Sequence, residues 1–398
     1  MISANNLVKL DFNNTEIAFR NKSDKDLEKA YWLFKMVSSN ALIKIGTPLT
    51  NFALKIGLPI QGIIRNTIYK QFCGGESIED CDQAIAELGQ AKVTTILDYS
   101  VEGKGAEGSF DANCEEILRT VAYTNRNKHT SFCVFKPTGL GRFDLFAKMD
   151  AGEHLSSDEK AEFDRIYKRI DRICKACYDA GHRVLIDAEH SWVQDTIDDV
   201  AREMMEKYNK DSVTVYNTYQ LYRHDKWASL QADFAYAQNQ NFYLGAKIVR
   251  GAYMEIERAR AAEKGYPSPI QPNKEACDRD YNLAIHFCLE HINRIGLVAG
   301  THNEESSRLL AEEMIQRGIS ARNEHIFFSQ LLGMSDNLSF NLAEAGYNVA
   351  KYMPYGPVKA VMPYLFRRAQ ENTSVGGQTN RELELIQKEK ERRRRLKS

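Results

Sequence analysis

Val93-Thr-Thr-Ile-Leu-Asp-Tyr99 is a short apolar run, rich in β-branched residues, with an acid near its end. A longer amphipathic stretch follows it, and the couplet then repeats along the chain. Further short runs stand at Phe132–Phe135, Val184–Ile186, Val213–Tyr216, Leu244–Val249, Gly296–Ala299, Ile326–Phe328 and Asn348–Ala350, each trailed by a helix-like segment. Strands that alternate with helices pair in parallel, because the helix supplies the crossover that a tight turn cannot. Eight such units suggest closure into an α/β fold, a distorted (β/α)8 TIM-like barrel. An open doubly wound sheet shares the pattern and stays open on this ground alone. Asp98, Lys136, Asp187, Asn217, Arg250, Thr301-His302-Asn303, Gln330 and Tyr352 lie at or just past the expected strand ends. In such barrels the active site is built at that face, so these residues are expected to share one pocket.

Residues 1–90 lack the rhythm and read as an N-terminal helical arm, with a helix over Asp24–Val37; residues 91–375 form the barrel and 376–398 a basic tail. Within the arm, 41–72 is apolar and cationic without an acid. It suits packing on the barrel or on another subunit, or contact with anionic lipid. Lys388–Lys397 holds seven basic and two acidic residues. This is a solvated, frayed helix end or an electrostatic contact for a membrane.

The 398 residues are 43% hydrophobic, enough for a large core, and carry a net charge of -1. A global basic field for nucleic acid is therefore absent, and no nucleic-acid partner is expected. Eight scattered cysteines in a chain of this length read as reduced thiols. Cys174 and Cys177 form a CxxC without a second pair, on a helical-looking segment, so packing is expected there and no metal site. Polar residues interrupt the N-terminus early, and no apolar run reaches the roughly 18 residues of a spanning helix. The expected location is cytoplasmic, with a peripheral contact on the inner face of the cytoplasmic membrane as the further option.

Gly103, Gly105 and Gly108 spell a literal GxGxxG soon after the first strand. The next helix is expected to start near Asp111, and the following strand ends in Lys136 where a ribose-binding acid belongs, so a flexible loop is the better reading. Met362 to Asn372 carries more information. Arg367 and Glu371 are spaced i, i+4, and Arg368 and Glu371 i, i+3, so on a helix Glu371 can hold either guanidinium. Two arginines with Lys136 nearby would make a carboxylate receptor; an exposed salt-bridged helix is the plainer alternative. In Lys247-Ile-Val-Arg250-Gly251-Ala252-Tyr253, the small residues let a flat ring approach the backbone, and the cations suit an electron-rich ring or a diphosphate.

Together these segments resemble the proline dehydrogenase family, both its stand-alone enzymes and the matching domain of bifunctional proline-utilisation proteins. The matching runs are Asp187-Ala-Glu189, Lys247 to Tyr253, Thr301-His-Asn303, Leu331 to Met334, Tyr352 to Gly356 and Arg367 to Asn372, in family order. The resemblance implies FAD as cofactor, L-proline as substrate and a quinone as electron acceptor. It implies hydride transfer from proline C5 to flavin N5, leaving Δ1-pyrroline-5-carboxylate. By the same resemblance Arg367, Arg368 and Lys136 hold the proline carboxylate, and Glu371 orients that cluster and stands near the cofactor. Tyr352, Tyr253, Ala252 and Leu331 wall the ring, and Asp187 orders Lys136 beneath the substrate. Lys247 stands near the flavin ring, and Gly251 and Ala252 lie against it. Arg250, Thr301, His302 and Asn303 resemble contacts to the diphosphate and ribityl chain, with Asn217 and Gln220, placed after the fourth strand, near the isoalloxazine. A hydroxyproline dehydrogenase and a non-catalytic proline-binding barrel are the alternatives. Tyr352 opposes the first, since hydroxyproline-directed relatives resemble this pattern with a smaller residue there.

Overall fold

The computed structural model describes residues 10–38, 60–101, 106–374 and 378–398, with the side chains of 37 and 369–378 outside the description. Eight strands are present: β1 (Val93–Tyr99), β2 (Thr130–Phe135), β3 (Arg183–Ile186), β4 (Val215–Gln220), β5 (Leu244–Val249), β6 (Ile295–Gly300), β7 (Ile326–Leu331) and β8 (Val349–Tyr355). They pair in parallel, in chain order, and β8 closes on β1 from Val93↔Val349 to Tyr99↔Tyr355. The open-sheet alternative is thereby excluded.

Side chains alternate along each strand. One set fills the barrel: Phe132, Val134, Leu185, Tyr216, Val298 and Phe327 form an interior cluster, with Phe132 edge-on to Phe327 at 4.9 Å. The other set packs outward on the helices. Glycine at 296 is what lets the barrel hold Tyr216, since a Cβ there would stand 2.5 Å from the tyrosine hydroxyl.

β4 begins two residues later than the 213–216 run suggests and continues to Gln220, so Asn217 and Gln220 lie inside the strand rather than after it. The helix after β1 starts at Glu107, not near Asp111; Gly108 sits within it, and Gly103 and Gly105 lie outside the described residues. Cys174 and Cys177 are buried on the Ser157–Asp179 helix and pack in the core.

In the arm, Ser23 and Asp26 form a capping box that starts the Asp24–Val37 helix. Leu27 and Phe34 from this helix, Leu385 and Ile386 from the Gln378–Arg395 helix, and Phe72 share one buried cluster. Residues 39–59, most of the stretch weighed between packing and lipid, lie outside the described residues. The Gln61–Phe72 portion is stitched to the barrel: the Tyr69 hydroxyl donates to the Gly356 carbonyl at 2.7 Å.

The basic tail is exposed from Arg394 to Ser398, as a solvated end would be, while Lys390, Arg392 and Arg393 are partly covered. It belongs to a helix whose cations meet acids of the arm and of the helix itself. Arg393 donates to Glu389 at 2.7 Å, Asp24 at 2.9 Å and the Phe19 carbonyl at 2.9 Å. Lys397 pairs with Asp24 at 2.6 Å, and Lys390 with Glu28. Much of the +5 read from the sequence is therefore balanced locally. Among the described residues, no helix is long and apolar enough to cross a membrane.

Candidate active site

The inward positions at the C-terminal ends of β1, β2, β3, β5 and β8 bring five functional groups together. Asp187, just past β3, is the hub. Its Oδ1 accepts from Lys247 Nζ at 2.6 Å, and its Oδ2 accepts from Lys136 Nζ at 3.2 Å and from the Tyr352 hydroxyl at 2.8 Å. Lys247 also lies 5.0 Å from the Tyr352 ring centroid, a cation over a π face. Asp98 of β1 approaches Lys136 at 3.9 Å and accepts from the Ser100 hydroxyl.

The charges of this cluster sustain one another. Burial pushes the Asp187 carboxyl up, but Lys247 and Lys136 overcome it and hold the group down at about 2. Burial likewise opposes the Lys136 ammonium, and Asp98 and Asp187 outweigh it, so Lys136 stays protonated above its ordinary range. Tyr352 is driven well above the usual phenol range, first by burial and then by Asp187. At neutral pH the site thus holds the Lys136 ammonium, an intact phenol and ionised Asp187.

Arg367 and Arg368 follow β8 on the Val358–Ser374 helix. Neighbouring helical residues point about 100° apart, and the two cations act on different surroundings. The Arg367 charge is felt at Lys136, Tyr253 and His190; that of Arg368 is felt at His302. Lys136, Arg367, Tyr99, Phe135 and Thr138 line one cleft. Arg368 lies 5.2 Å from the Tyr364 ring centroid. The Glu371 backbone continues the helix, and its side chain lies outside the described residues.

The β5–β6 rim carries a second group. Arg250 donates to Asp278 at 2.8 Å, Thr301 Oγ1 at 2.7 Å and Ser306 Oγ at 3.0 Å, and lies 4.4 Å from the Tyr281 ring centroid. Gly251 is exposed with φ at 142°, in the region that favours glycine, and a Cβ there would meet the Tyr222 ring at 2.4 Å. Ala252 and buried Tyr253 follow it. His302 Nδ1 lies 2.9 Å from Ser335 Oγ. Burial and then the Lys351 and Arg368 charges push its imidazole down to about 3, so it is neutral at physiological pH. Leu331 ends β7 beside Tyr352, where the Leu332 N–H donates to the Tyr352 carbonyl at 2.8 Å.

Three of the expected cofactor residues also make hydrogen bonds within the protein. Tyr216 fills the barrel, so strand alternation turns Asn217 outward, where its Nδ2 donates to Asp198 at 2.9 Å beside Lys226. Gln220 keeps the inward parity and donates to the Glu189 carbonyl at 2.7 Å. The Asn303 side chain caps the Glu304–Gln316 helix, accepting from the Ser306 N–H at 2.8 Å.

Three residues without an assigned role belong to the site's frame. Asp98 is the second acid at Lys136. Buried Glu189 accepts from the Thr138 N–H at 3.0 Å and hydroxyl at 2.5 Å, tying the β3 end to the turn that carries Lys136. His190 stacks on Trp192 at 4.5 Å and meets the Tyr253 ring at 4.2 Å, backing a wall of the mouth. The Asp187-Ala-Glu189 run signalled Glu189, and the strand-end rule signalled Asp98; His190 carries no comparable signal in sequence.

Known proteins place this arrangement. The model of the family described as proline dehydrogenase matches residues 81–381. "Proline dehydrogenase 1, mitochondrial" of Dictyostelium discoideum is 33% identical over 431 residues, covering 97% of this chain and 75% of the relative. "Hydroxyproline dehydrogenase" of Xenopus laevis is 30% identical over 412 residues, covering 94% of this chain and 88% of the relative. In fold, the chain is similar to proline utilization A (PutA) from Bdellovibrio bacteriovorus, with TM-score 0.70 and 20% identity over 91% of this chain. It spans only 38% of that solved chain, the length of one part of a larger protein. With the family model covering the barrel and both helices that flank it, the chain belongs to the proline dehydrogenase family.

Proposed function

We propose that this chain oxidises L-proline to Δ1-pyrroline-5-carboxylate with FAD and passes the electrons to a quinone. The observation that carries this reading is the Asp187 hub, with Lys136, Lys247 and Tyr352 bound to one carboxylate and Arg367 beside them at the barrel mouth. We assign 1–90 as the arm, 91–375 as the catalytic unit and 376–398 as an outer segment packed on that arm.

The donor set fits FAD. Lys247, Gln220, Arg250, Thr301 and His302 offer cations and hydrogen-bond donors along β4–β6, suited to a flavin's carbonyl edge and to a diphosphate. FAD, when bound, supplies the hydride acceptor. The chain's own residues bind and orient the substrate. Lys136 and Arg367, joined by Arg368, clamp the proline carboxylate, remote from the carbon that reacts, and Tyr352, Tyr253, Ala252 and Leu331 confine the ring. Glu371 is assigned to orienting the arginines. Proline must react as the free amine, because an ammonium has no lone pair to assist loss of hydride from C5. The cations around the site favour that neutral form. Asp187 holds both lysines and Tyr352 in place and stays ionised, so it does not serve as a general acid.

The protein is expected to purify yellow and to bleach when L-proline is added without oxygen, followed by its visible absorbance. A colourless chain that remains inert after reconstitution with FAD overturns the reading. Adding NAD is expected to change nothing.

The named relative from Xenopus makes hydroxyproline the second candidate substrate. Tyr352 supports proline in this reading: its hydroxyl is committed to Asp187 at 2.8 Å, and its ring would crowd a 4-hydroxyl. Tyr352→Ser is expected to raise the ratio of kcat/KM for hydroxyproline over proline. An unchanged ratio removes Tyr352 from specificity.

A quinone partner implies access to a membrane, and any attraction to anionic lipid is expected to be weak and salt-sensitive. Basic residues near an anionic surface contribute about 1 kcal/mol each at most, and here several are already paired with acids. Co-sedimentation with vesicles containing phosphatidylserine, at low and high salt, checks this; tight binding that survives high salt contradicts it.

A further inference from the structure

The Gln378–Arg395 helix reaches the barrel through a buried carboxylate. Glu382 is buried, with Asp336, Lys351 and Lys22 acting on it, and its Oε1 accepts the Ser335 N–H at 2.5 Å. Ser335 itself sits in the left-handed region, at φ 50° and ψ 44°, a strained conformation for a residue with a Cβ. Its hydroxyl lies 2.9 Å from His302 Nδ1. The next residue, Asp336, pairs with fully buried Lys351 at 2.9 Å and with Lys22 at 3.4 Å. Lys351 also donates to the Leu331 carbonyl at 3.3 Å and to that of Met334. The turn from Leu331 to Asp336, which carries a wall of the pocket and the serine against His302, is thus held from three sides.

A helix that served only to cover the arm would need only its apolar face, and Leu385 and Ile386 supply one. Burying a carboxylate is costly without a role for it. Burial and the Asp336 charge push Glu382 up to about 7, so the group is kept despite its environment. What that carboxylate contacts is the strained residue on which the imidazole rests.

We propose that Glu382 is a positioning residue that, through Ser335, holds His302 with Nε2 available to FAD, making the Gln378–Arg395 helix part of the cofactor site. The proposal rests on the FAD reading above. It concerns retention of the cofactor rather than the hydride step. At saturating FAD, loss of Glu382 is expected to leave KM for proline nearly unchanged.

The test uses the full chain with Glu382→Ala, Glu382→Gln and Ser335→Gly, reading the Kd for FAD by fluorescence quenching and the visible circular dichroism of the bound flavin. Leaving the buried Ser335 N–H without its acceptor is expected to weaken FAD binding about 10- to 100-fold in Glu382→Ala. Glu382→Gln, which keeps an oxygen to accept the Ser335 N–H, is expected to restore most of the affinity. Ser335→Gly removes the contact to His302 while relieving the positive φ. It is expected to fold at least as readily, weaken FAD binding and alter the flavin dichroism. If Glu382→Ala does not fold, Ser335→Gly decides alone. Wild-type affinity and dichroism in Ser335→Gly overturn the proposal, as does a Glu382→Gln variant as defective as Glu382→Ala. Wild-type chain that takes up no FAD overturns the flavin reading, and this proposal with it; tight binding by wild type and by all three variants overturns this proposal alone.

Discussion

Asp187→Ala is expected to destabilise the protein by about 3–5 kcal/mol, because it leaves buried Lys247 and half-buried Lys136 without their shared counter-ion. Lys247 loses its partner at 2.6 Å and Lys136 one at 3.2 Å, with Asp98 at 3.9 Å left to Lys136. The Tyr352 hydroxyl loses its acceptor at the same time. Urea unfolding reads the effect. The double variant Asp187→Ala/Lys247→Met is expected to recover part of the loss, since it removes one of the stranded charges together with the acid. Wild-type stability in the single variant would show that the hub is not an ion cluster in solution. The pH dependence has a definite sign. Asp187 is held at about 2, below its ordinary 3.8. Its contribution is therefore present above pH 3.8 and is lost as pH falls through about 2. Asp187→Ala is expected to lack that acid-side decline.

Arg367→Met is expected to reduce kcat/KM for L-proline by roughly 30- to 150-fold, the equivalent of about 2–3 kcal/mol for one charge-assisted carboxylate contact. FAD affinity is expected to change little, because the Arg367 charge acts at Lys136, Tyr253 and His190. Arg368→Met is expected to impair proline binding too. Its charge also acts at His302, so a modest change in the flavin spectrum is expected there and not in Arg367→Met. Steady-state kinetics beside FAD titration separates the two. Normal proline kinetics in both variants would remove the arginine pair from the carboxylate clamp.

The barrel was legible because its signal is local and repeated. Each strand is a short β-branched run, and the ends of β1 and β5 fall where the runs place them. What failed is parity. An apolar run shows that a strand exists but not where its pairing starts, and a displaced start changes the residues it is thought to present. Reading the fourth strand as 213–216 put Asn217 beyond it, at the mouth; in β4 it is an interior position facing the outer helices. Asn303 has a second role whose signal was present: asparagine followed by Glu304 and Glu305 is a helix start. The Lys136–Asp187–Lys247 cluster was only partly legible, since strand ends name candidates and the closed barrel alone brings them within hydrogen-bond reach. The tail was least legible. Its charge is a property of the run, but the acids that balance it at Asp24 and Glu28 lie far away in sequence, and no local rule connects them.

That docking has a consequence for how the molecule is made. Arg393 and Asp24 stand 369 residues apart. At roughly 5–20 residues per second of translation, the arm helix leaves the ribosome on the order of half a minute before its partner exists. Throughout that interval Leu27, Leu33 and Phe34 have nothing from the Gln378–Arg395 helix to cover them, and β1 has no β8 beside it. These apolar faces of the nascent chain therefore stay uncovered until its late segments emerge. Lesions that slow or truncate synthesis beyond β8 should therefore show first as aggregation during expression.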